Sequence, residues 1–444
     1  MFRRARDIFI GAVIGVILVG GVMSSVAFND VDLFKAAPFS FQDLWIIKQA
    51  RVILETYHVD GEEGISEENL LHGAIRGMVS ALDDPYTRFV DPDELKEEEI
   101  ELQGEYGGLG IYIGQRDGKT LVVSPIEDTP ADRAGLKPKD QIVKIGDEVI
   151  LGWSQNEVVN TLRGDPGTKV VIWIRREEEE DLLKFEIERE SIRIQTVKSE
   201  LLEDSVGLVR ITQFNQRTLF DFRKAIYDLL GEGAGSFLID LRNNPGGLLS
   251  SCVDIADLLL DGGVIVSTRG RFDRANEVIY ARHGPITDLP VAVLINEGSA
   301  SASEILAGAL QDHRRALIVG VTSFGKGSVQ ALIPLSNGGG LRLTTAYYYT
   351  PNGHCLQARG IIPDFVVPQG QCQTNAAGPP VRDTDLPQPT AVRPAERYPQ
   401  ITPSDPADTE LLRQDFQLFS AINLLIGCQR LTGEAPSRAP GGQP

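Results

Sequence analysis

Cysteine and histidine are scarce in this chain of 444 residues. It has four cysteines and five histidines, and it contains neither a CxxC nor an HExxH motif. A disulfide scaffold or a four-thiolate zinc site needs its cysteines in a denser pattern than this. We therefore expect chemistry that uses no metal and no cofactor.

Basic residues are also in the minority. The chain has 43 lysines and arginines against 62 aspartates and glutamates, which gives a formal net charge of −19. A general nucleic-acid binder needs a basic face to neutralise phosphates, so we expect no nucleic-acid partner. The length predicts roughly three domains at ~150 residues each.

Charge is absent from one long stretch near the start of the chain. Residues 8–28 carry no charged side chain, and three arginines lie within the first seven residues. Because a spanning helix needs about 20 apolar residues and basic flanks stay in the cytoplasm, we expect a signal anchor over 1–28. It would cross the cytoplasmic membrane once and place the catalytic part on the extracytoplasmic side. A cleaved signal peptide ending near Ser25–Ala27 is the alternative and would make the protein secreted. A buried soluble helix is a third reading of the same run.

The remainder of the chain changes pattern several times. Apolar residues at three- and four-residue spacing predict helices, β-branched runs between turns predict strands, and alternation of the two predicts an α/β domain. Proline becomes frequent after residue 367, which is typical of a disordered linker. The predicted blocks are a helical segment at 39–102, a mostly-β segment at 103–190, an α/β segment at 191–367, a Pro-rich linker at 370–406 and a C-terminal helix at 409–431.

A Gly/Ser-rich turn, LINEGSASASEI at 294–305, is the most unusual local sequence. A strand is predicted to end at Asn296 and a helix to begin within the serines. A hydroxyl and free N–H groups at a helix N-terminus suit a serine nucleophile, because the positive helix end stabilises an oxyanion. The letters SASE at 301–304 equally match a helix capping box, which needs no function.

A second glycine-rich segment, GVTSFGKGS at 320–328, resembles a P-loop in part. Gly327 stands where a P-loop has Ser or Thr, and the following residues predict a strand where a P-loop needs a helix. A nucleotide-binding ATPase is therefore the weakest hypothesis, and a plain surface turn is another. A third reading makes Lys326 a general base, since burial lowers a lysine pKa; Gln330 would then orient the amine without adding charge.

Two further glycine motifs could present backbone N–H groups. DLRNNPGG at 240–247 follows a predicted strand and could supply one oxyanion donor, with the N–H of Ala302 as the other. An ordinary Pro-Gly turn explains the same letters. YGGLGIY at 106–112 could capture a C-terminal carboxylate while the adjacent strand adds a peptide as an extra strand. By itself, that glycine loop is weak evidence.

Taken together in their order along the chain, the motifs resemble those of the carboxyl-terminal processing proteases, a serine peptidase family with an embedded PDZ domain. The resemblance covers about 39–367 together with the last helix. It rests on LDDPYTRF at 82–89, GGLGI at 107–111, DLRNNPGG at 240–247, NEGSASASEILAGAL at 296–310, SFGKGSVQ at 323–330 and YYTPNGHCLQARGIIPD at 348–364. The most specific element is the long serine motif together with Lys326, which lies 25 residues after Ser301.

The resemblance implies a fold and a set of roles. The fold class is an α/β peptidase core, a crotonase/ClpP-like sheet with helices, with an inserted mostly-β PDZ domain, a helical N-terminal segment and an N-terminal transmembrane helix. Ser301 matches the nucleophile, Lys326 the general base and Gln330 the residue that orients it. Gly246 and Ala302 match the oxyanion hole, with Gly247 as the fallback.

The remaining implied roles concern peptide binding and regulation. The loop that matches the PDZ carboxylate-binding loop consists of Gly107, Gly108, Leu109, Gly110 and Ile111. Arg163 sits where some members carry an arginine that couples the PDZ domain to the active site; a lone surface arginine is the plain alternative. Ser299 and Ser303 match structural positions.

The expected function is that of an exported serine endopeptidase that recognises protein C-termini and cleaves near them. Its partners are peptides with free C-termini, the membrane through residues 8–28, and a second copy of the chain if the terminal helices form a dimer surface. The competing function is a catalytically silent, membrane-anchored PDZ scaffold. Two departures from the family pattern are His354–Cys355 and the long linker; Cys355 and Cys372 either pair or remain free.

Overall fold

The computed structural model describes residues 41–59, 66–116, 118–370 and 415–432. The apolar run 8–28, Cys372 and nearly all of the Pro-rich linker lie outside these ranges. No helix within them has the length and apolar character needed to cross a bilayer. The described residues form two compact units: the first contains those up to 96 together with 266–279 and 326–359, and the second contains those in 97–265, in 280–325 and after 359.

The first unit contains two N-terminal helices and a sheet. Helix α1 is Phe41–Tyr57 and α2 is Glu67–Ser80, which begins where the hydroxyl of Ser66 accepts the N–H of Asn69. Further along, α3 is Pro92–Gln103, which continues into the second unit. The sheet has the order β1-β18-β13-β14 with β17 paired to β18, and its strands are Arg88–Val90 (β1), Gly263–Gly270 (β13), Glu277–Ala281 (β14), Ser328–Pro334 (β17) and Gly340–Tyr349 (β18).

Strand β1 differs from the expectation of an all-helical segment over 39–102. Arg88–Val90 pairs antiparallel with the start of β18, at Gly340–Arg342. Local periodicity does not reveal this strand because its partner lies about 250 residues away in the sequence. The helix before it ends at Ser80, five residues before Pro85. A proline disfavours helical geometry in the residue that precedes it, so a helix end before Pro85 is expected.

The second unit begins with a mostly-β domain. Its sheet has the order β3-β4-β5-β7-β8 with β6 paired to β5, and a separate pair joins β2 to β9. The strands are Glu105–Gly108 (β2), Ile111–Arg116 (β3), Lys119–Pro125 (β4), Gln141–Ile145 (β5), Glu148–Val149 (β6), Lys169–Arg175 (β7), Leu183–Glu188 (β8) and Glu190–Arg193 (β9), and the helices are Pro130–Arg133 (α4) and Gln155–Leu162 (α5). A separate apolar core, including Leu109, Ile142 and Ile172, fills this domain.

An α/β domain completes the second unit. Its sheet has the order β10-β11-β12-β15-β16-β19; β10 is antiparallel and the others run parallel. The strands are Val197–Leu201 (β10), Val206–Ile211 (β11), Ser236–Asp240 (β12), Val291–Ile295 (β15), Ala316–Gly320 (β16) and Phe365–Val366 (β19), and the helices are Thr218–Glu232 (α6), Leu249–Asp257 (α7), Ala302–Asp312 (α8) and Phe416–Thr432 (α9).

The parallel arrangement determines where a site can form. Helix α9 packs Ala421 and Leu425 against one sheet face, where Leu208, Leu238 and Leu294 are buried. Because the central strands are parallel, the loops after β12, β15 and β16 all leave from one edge of the sheet. In open α/β sheets this carboxyl edge is where ligands bind.

Candidate active site

The serine turn lies between the end of β15 at Ile295 and the start of α8 at Ala302. Ser301 has φ 55° and ψ −113°, a backbone conformation that residues other than glycine rarely adopt. Such strain costs of order 1–3 kcal/mol and persists only where the surroundings hold it. The turn therefore places the half-buried Ser301 at the N-terminus of a buried helix.

A buried carboxylate holds this turn in place. Glu304 has no exposed surface, and its Oε2 accepts the N–H of Ser301 at 2.7 Å, as the predicted capping box requires of its glutamate. Its Oε1 accepts the hydroxyl of Ser323 at 2.6 Å and the N–H of Gly325 at 2.6 Å. The second pair of contacts comes from the loop after β16.

The two neighbouring serines make structural contacts. The Ser299 hydroxyl donates to the carbonyl of Leu241 at 2.8 Å, and the Ser303 hydroxyl donates to the carbonyl of Asn244 at 2.9 Å. Both side chains are fully buried. They join the serine turn to the loop after β12.

That loop brings Gly246 beside the serine. A Cβ on Gly246 would lie 2.9 Å from the Ser301 Cβ and 3.0 Å from the Ala302 nitrogen. Gly246 has φ 108° and Gly247 φ 131°, and a Cβ on Gly247 would lie 2.0 Å from the Phe214 carbonyl oxygen. The structure thus brings together Ser301, Ala302 and Gly246.

The N–H of Gly246 has a partner that the sequence analysis did not identify. It donates to Oδ1 of Asn244 at 2.9 Å, while the Asn244 amide donates to the carbonyl of Ile211 at 2.9 Å. The order Asn-Pro-Gly was the available signal, since an Asn side chain accepts the N–H two residues on. In this structure Asn244 occupies the hydrogen bond that we expected Gly246 to offer an oxyanion.

A buried ion pair anchors the same loop to the last helix. Arg242 contacts both oxygens of Asp240 at 2.9 Å and Oδ1 of Asp415 at 2.8 Å. Burial alone would raise the pKa of the Asp415 carboxyl, but hydrogen bonds from Arg242 and from the N–H of Leu418 outweigh it and lower the pKa. The docking of α9 and the position of the DLRNNPGG loop are therefore linked.

Lys326 and Gln330 lie in the first unit, where both meet Tyr86. The Lys326 Nζ sits 5.3 Å from the centre of the Tyr86 ring, and the Gln330 amide donates to the Tyr86 carbonyl at 2.5 Å. Gly327 must be glycine, because a Cβ there would lie 2.2 Å from the backbone nitrogen of Gln357. Residues 328–334 form a strand, as predicted, so the following helix that a P-loop needs does not form.

Tyr86 belongs to the motif LDDPYTRF, to which the sequence analysis gave no role. Asp84 accepts the N–H of Tyr86 at 3.0 Å and the hydroxyl of Thr87 at 2.6 Å. Burial would raise the pKa of Asp84, but the hydrogen bonds from the Thr87 hydroxyl and the N–H of Tyr86 prevail and lower it. The motif is a turn that presents Tyr86 to Lys326 and Gln330.

The glycine loop over 107–111 combines a strand end and a sharp bend. Gly107 and Gly108 belong to β2, and Ile111 opens β3, which is an edge strand of its sheet. The Leu109 carbonyl accepts the N–H of Ala131 and the Gly110 carbonyl that of Ile126, both at 2.9 Å. In a trans peptide the N–H points opposite to the carbonyl, so the N–H groups of Gly110 and Ile111 point away from these partners.

Arg163 is more than a lone surface residue. Its guanidinium forms a salt bridge with Glu97, and it stacks 4.9 Å from the centre of the Tyr106 ring. Its side chain is only 21% exposed. The residue thus joins α3, β2 and the end of α5, three elements of the second unit.

Family models match three parts of the chain. Peptidase family S41 matches residues 205–367, a PDZ domain matches 121–176, and the N-terminal domain of the activating protease CtpB matches 32–94. These matches confirm the peptidase core and the PDZ domain of the fold class that the motifs implied; the transmembrane helix of that fold class stays a prediction.

Named relatives agree with these matches. The carboxy-terminal-processing protease of Bartonella bacilliformis is 45% identical over 310 residues, which cover 68% of this chain and 70% of that protein. The carboxy-terminal processing protease CtpA of Bacillus subtilis is 35% identical over 297 residues, 67% of this chain and 64% of that protein. Among solved structures, a photosystem II D1 C-terminal processing protease is 29% identical, with a TM-score of 0.43, over 72% of this chain and 86% of that one.

The resemblance stated from the motifs alone is confirmed by these matches. At 45% identity over two thirds of its length, the chain belongs to the carboxy-terminal processing proteases, which are serine-type peptidases.

Proposed function

We propose that this protein is an exported serine endopeptidase that binds the free C-terminus of a protein and cleaves near it. Ser301 is the nucleophile, Lys326 the general base and Gln330 the residue that orients the base. The observation that carries the proposal is the serine turn itself. A strained Ser301 stands at a helix N-terminus, next to Gly246, with its backbone N–H bound by a buried carboxylate.

The reaction follows from these groups. Neutral Lys326 takes the proton from the Ser301 Oγ, which attacks a peptide carbonyl; the tetrahedral intermediate then expels the amine, which recovers the proton from Lys326. Water, activated again by Lys326, hydrolyses the acyl-enzyme. The Gln330 amide nitrogen donates to Tyr86, so we assign its oxygen to the Lys326 amine.

The oxyanion needs two N–H donors, and we assign one to Ala302. The second donor is the N–H of Gly246, which must leave its hydrogen bond to Oδ1 of Asn244 and donate to the oxyanion. Gly247 is the fallback donor if that exchange does not occur. Either donor comes from the loop that the serine turn already contacts.

The PDZ domain supplies recognition in this proposal. A peptide adds along the edge strand β3, and its terminal carboxylate accepts the N–H groups of Gly110 and Ile111. Residues 8–28 anchor the chain in the cytoplasmic membrane, with both the PDZ and peptidase domains on the extracytoplasmic side.

The test is cleavage of casein and of a peptide with a free C-terminus by the purified chain and its variants. We expect Ser301→Ala and Lys326→Ala each to abolish cleavage, because nucleophile and base act as one unit. The matched control is Lys224→Ala, which removes an exposed lysine that pairs with Asp228 and should leave cleavage unchanged. Normal cleavage by Lys326→Ala contradicts the dyad. Peptide binding without any cleavage by the intact chain identifies the silent scaffold.

A further inference from the structure

We propose that Glu304 is a positioning residue that fixes the nucleophile's backbone and the loop leading to the general base in one arrangement. This inference rests on the proposed roles of Ser301 and Lys326. Glu304 itself touches neither the substrate nor the reacting atoms.

The Glu304 carboxylate has more partners than helix capping requires. A capping box requires of its glutamate only a contact with the N–H of the N-cap residue, here Ser301, and Oε2 provides this contact at 2.7 Å. The other oxygen accepts donors from Ser323 and Gly325, which lie 19 and 21 residues further along the chain. Since burying a carboxylate is costly unless hydrogen bonds compensate it, this arrangement is held by all three donors together.

On the serine side, Glu304 opposes the strain of the turn. Ser301 has φ 55°, which a residue with a side chain keeps only under external constraint. The hydrogen bond to Glu304 is made by the N–H of this same residue, so it acts directly on the strained backbone. Loss of the bond lets the backbone relax and moves the Oγ.

On the lysine side, Glu304 holds the loop that ends one residue before Lys326. The Ser323 hydroxyl also accepts the N–H of Ile361 at 2.7 Å, and the N–H of Phe324 donates to the Ser299 carbonyl at 3.0 Å. Three consecutive residues of the loop, 323–325, are therefore tied to the serine turn, two of them through Glu304. Lys326 follows directly in the chain.

The test compares Glu304→Gln with the unchanged full chain in steady-state cleavage of a peptide with a free C-terminus. The glutamine Nε2 cannot accept a hydrogen bond, so at least one of the three donors loses its partner. Because a misplacement of about 1 Å costs on the order of 100-fold in rate, we expect kcat to fall about 10- to 100-fold, with KM within about twofold. The rate at which a fluorophosphonate labels Ser301 should fall in parallel.

The matched control is Glu297→Gln, which removes the same charge from an exposed position of the same turn and should keep kcat. Ser323→Ala removes a single donor to Glu304 and should give a smaller fall in kcat. This variant decides the question if Glu304→Gln fails to fold. A kcat equal to that of the unchanged chain in a folded Glu304→Gln, or a rise in KM alone, overturns the proposal.

Failure of this inference is distinguishable from failure of the proposed function. If Ser301→Ala or Lys326→Ala still cleaves, the dyad is wrong. If both abolish cleavage and Glu304→Gln and Ser323→Ala retain full kcat, only the role of Glu304 is wrong.

Discussion

The segments that carry Ser301 and Lys326 are held in different ways. Around Ser301 the contacts are buried and connect main chain to side chain, through Ser299, Ser303 and Glu304. Around Lys326 they come from a ring, Tyr86, and two amide side chains, Gln330 and Gln357. Ser301 is thus held by buried contacts of the folded core, whereas the contacts described near Lys326 are made largely by side chains. Substitutions in the buried contacts of the Ser301 turn should therefore affect stability as well as rate, whereas substitutions near Lys326 should affect rate alone.

The largest expected effect that tests this difference between the two segments is the loss of stability caused by Asn244→Ala. The substitution leaves the Gly246 N–H and the buried Ile211 carbonyl without their partners. Each unsatisfied buried group costs about 1–3 kcal/mol, so we expect the free energy of unfolding to fall by about 3 kcal/mol. Denaturant unfolding measures it. The exposed Asn160→Ala serves as the control and should stay within about 0.5 kcal/mol. A change of under 1 kcal/mol for Asn244→Ala would remove the distinction between the two segments.

A smaller effect, on rate rather than stability, should follow from Tyr86→Leu. The Tyr86 ring lies against the Lys326 amine, 5.3 Å from the ring centre. Because a misplaced catalytic group lowers the rate, loss of the ring should lower kcat by about tenfold or less. The Gln330 contact uses the Tyr86 carbonyl and survives the substitution. Tyr86→Phe retains the ring and should restore the rate, and thermal unfolding should not change. Equal activity of the Leu and Phe variants would show that the ring does not position the amine.

The smallest effect is a pH dependence in the second unit. The pKa of Asp415 is lowered in the folded state, so its pairing with Arg242 stabilises the fold above the unfolded pKa. That contribution disappears as the pH falls through the folded pKa, below about 4. Because Asp415 is partly exposed, the stability difference from Asp415→Asn should be about 1 kcal/mol or less at pH 7 and vanish in acid. Unfolding curves of the unchanged chain and of Asp415→Asn at several pH values measure this difference in stability. A difference that persists at low pH would contradict the pairing of Asp415 with Arg242.

Local sequence predicted several helices and strands better than it predicted the contacts between them. Helix α8 and strand β17 lie where periodicity and turn residues placed them, because their signals are short-range. Strands β1 and β14 were missed, since a three- to five-residue strand is defined by its partner in the sheet. The contacts of Glu304 with Ser323 and Gly325 were missed for the same reason: they depend on how distant loops meet at the sheet edge. The contact of Asn244 with Gly246 is local, so the order Asn-Pro-Gly was enough to predict it, although it was not predicted.

The position of α9 has a consequence for how the protein is made. Its residues 416–432 cover a sheet face whose strands were all completed by residue 366. Domains begin to fold as they leave the ribosome, but this face can receive its cover only after residue 432 has been synthesised. Until then Leu208, Leu238 and Leu294 remain open to other apolar surfaces, including those of chaperones.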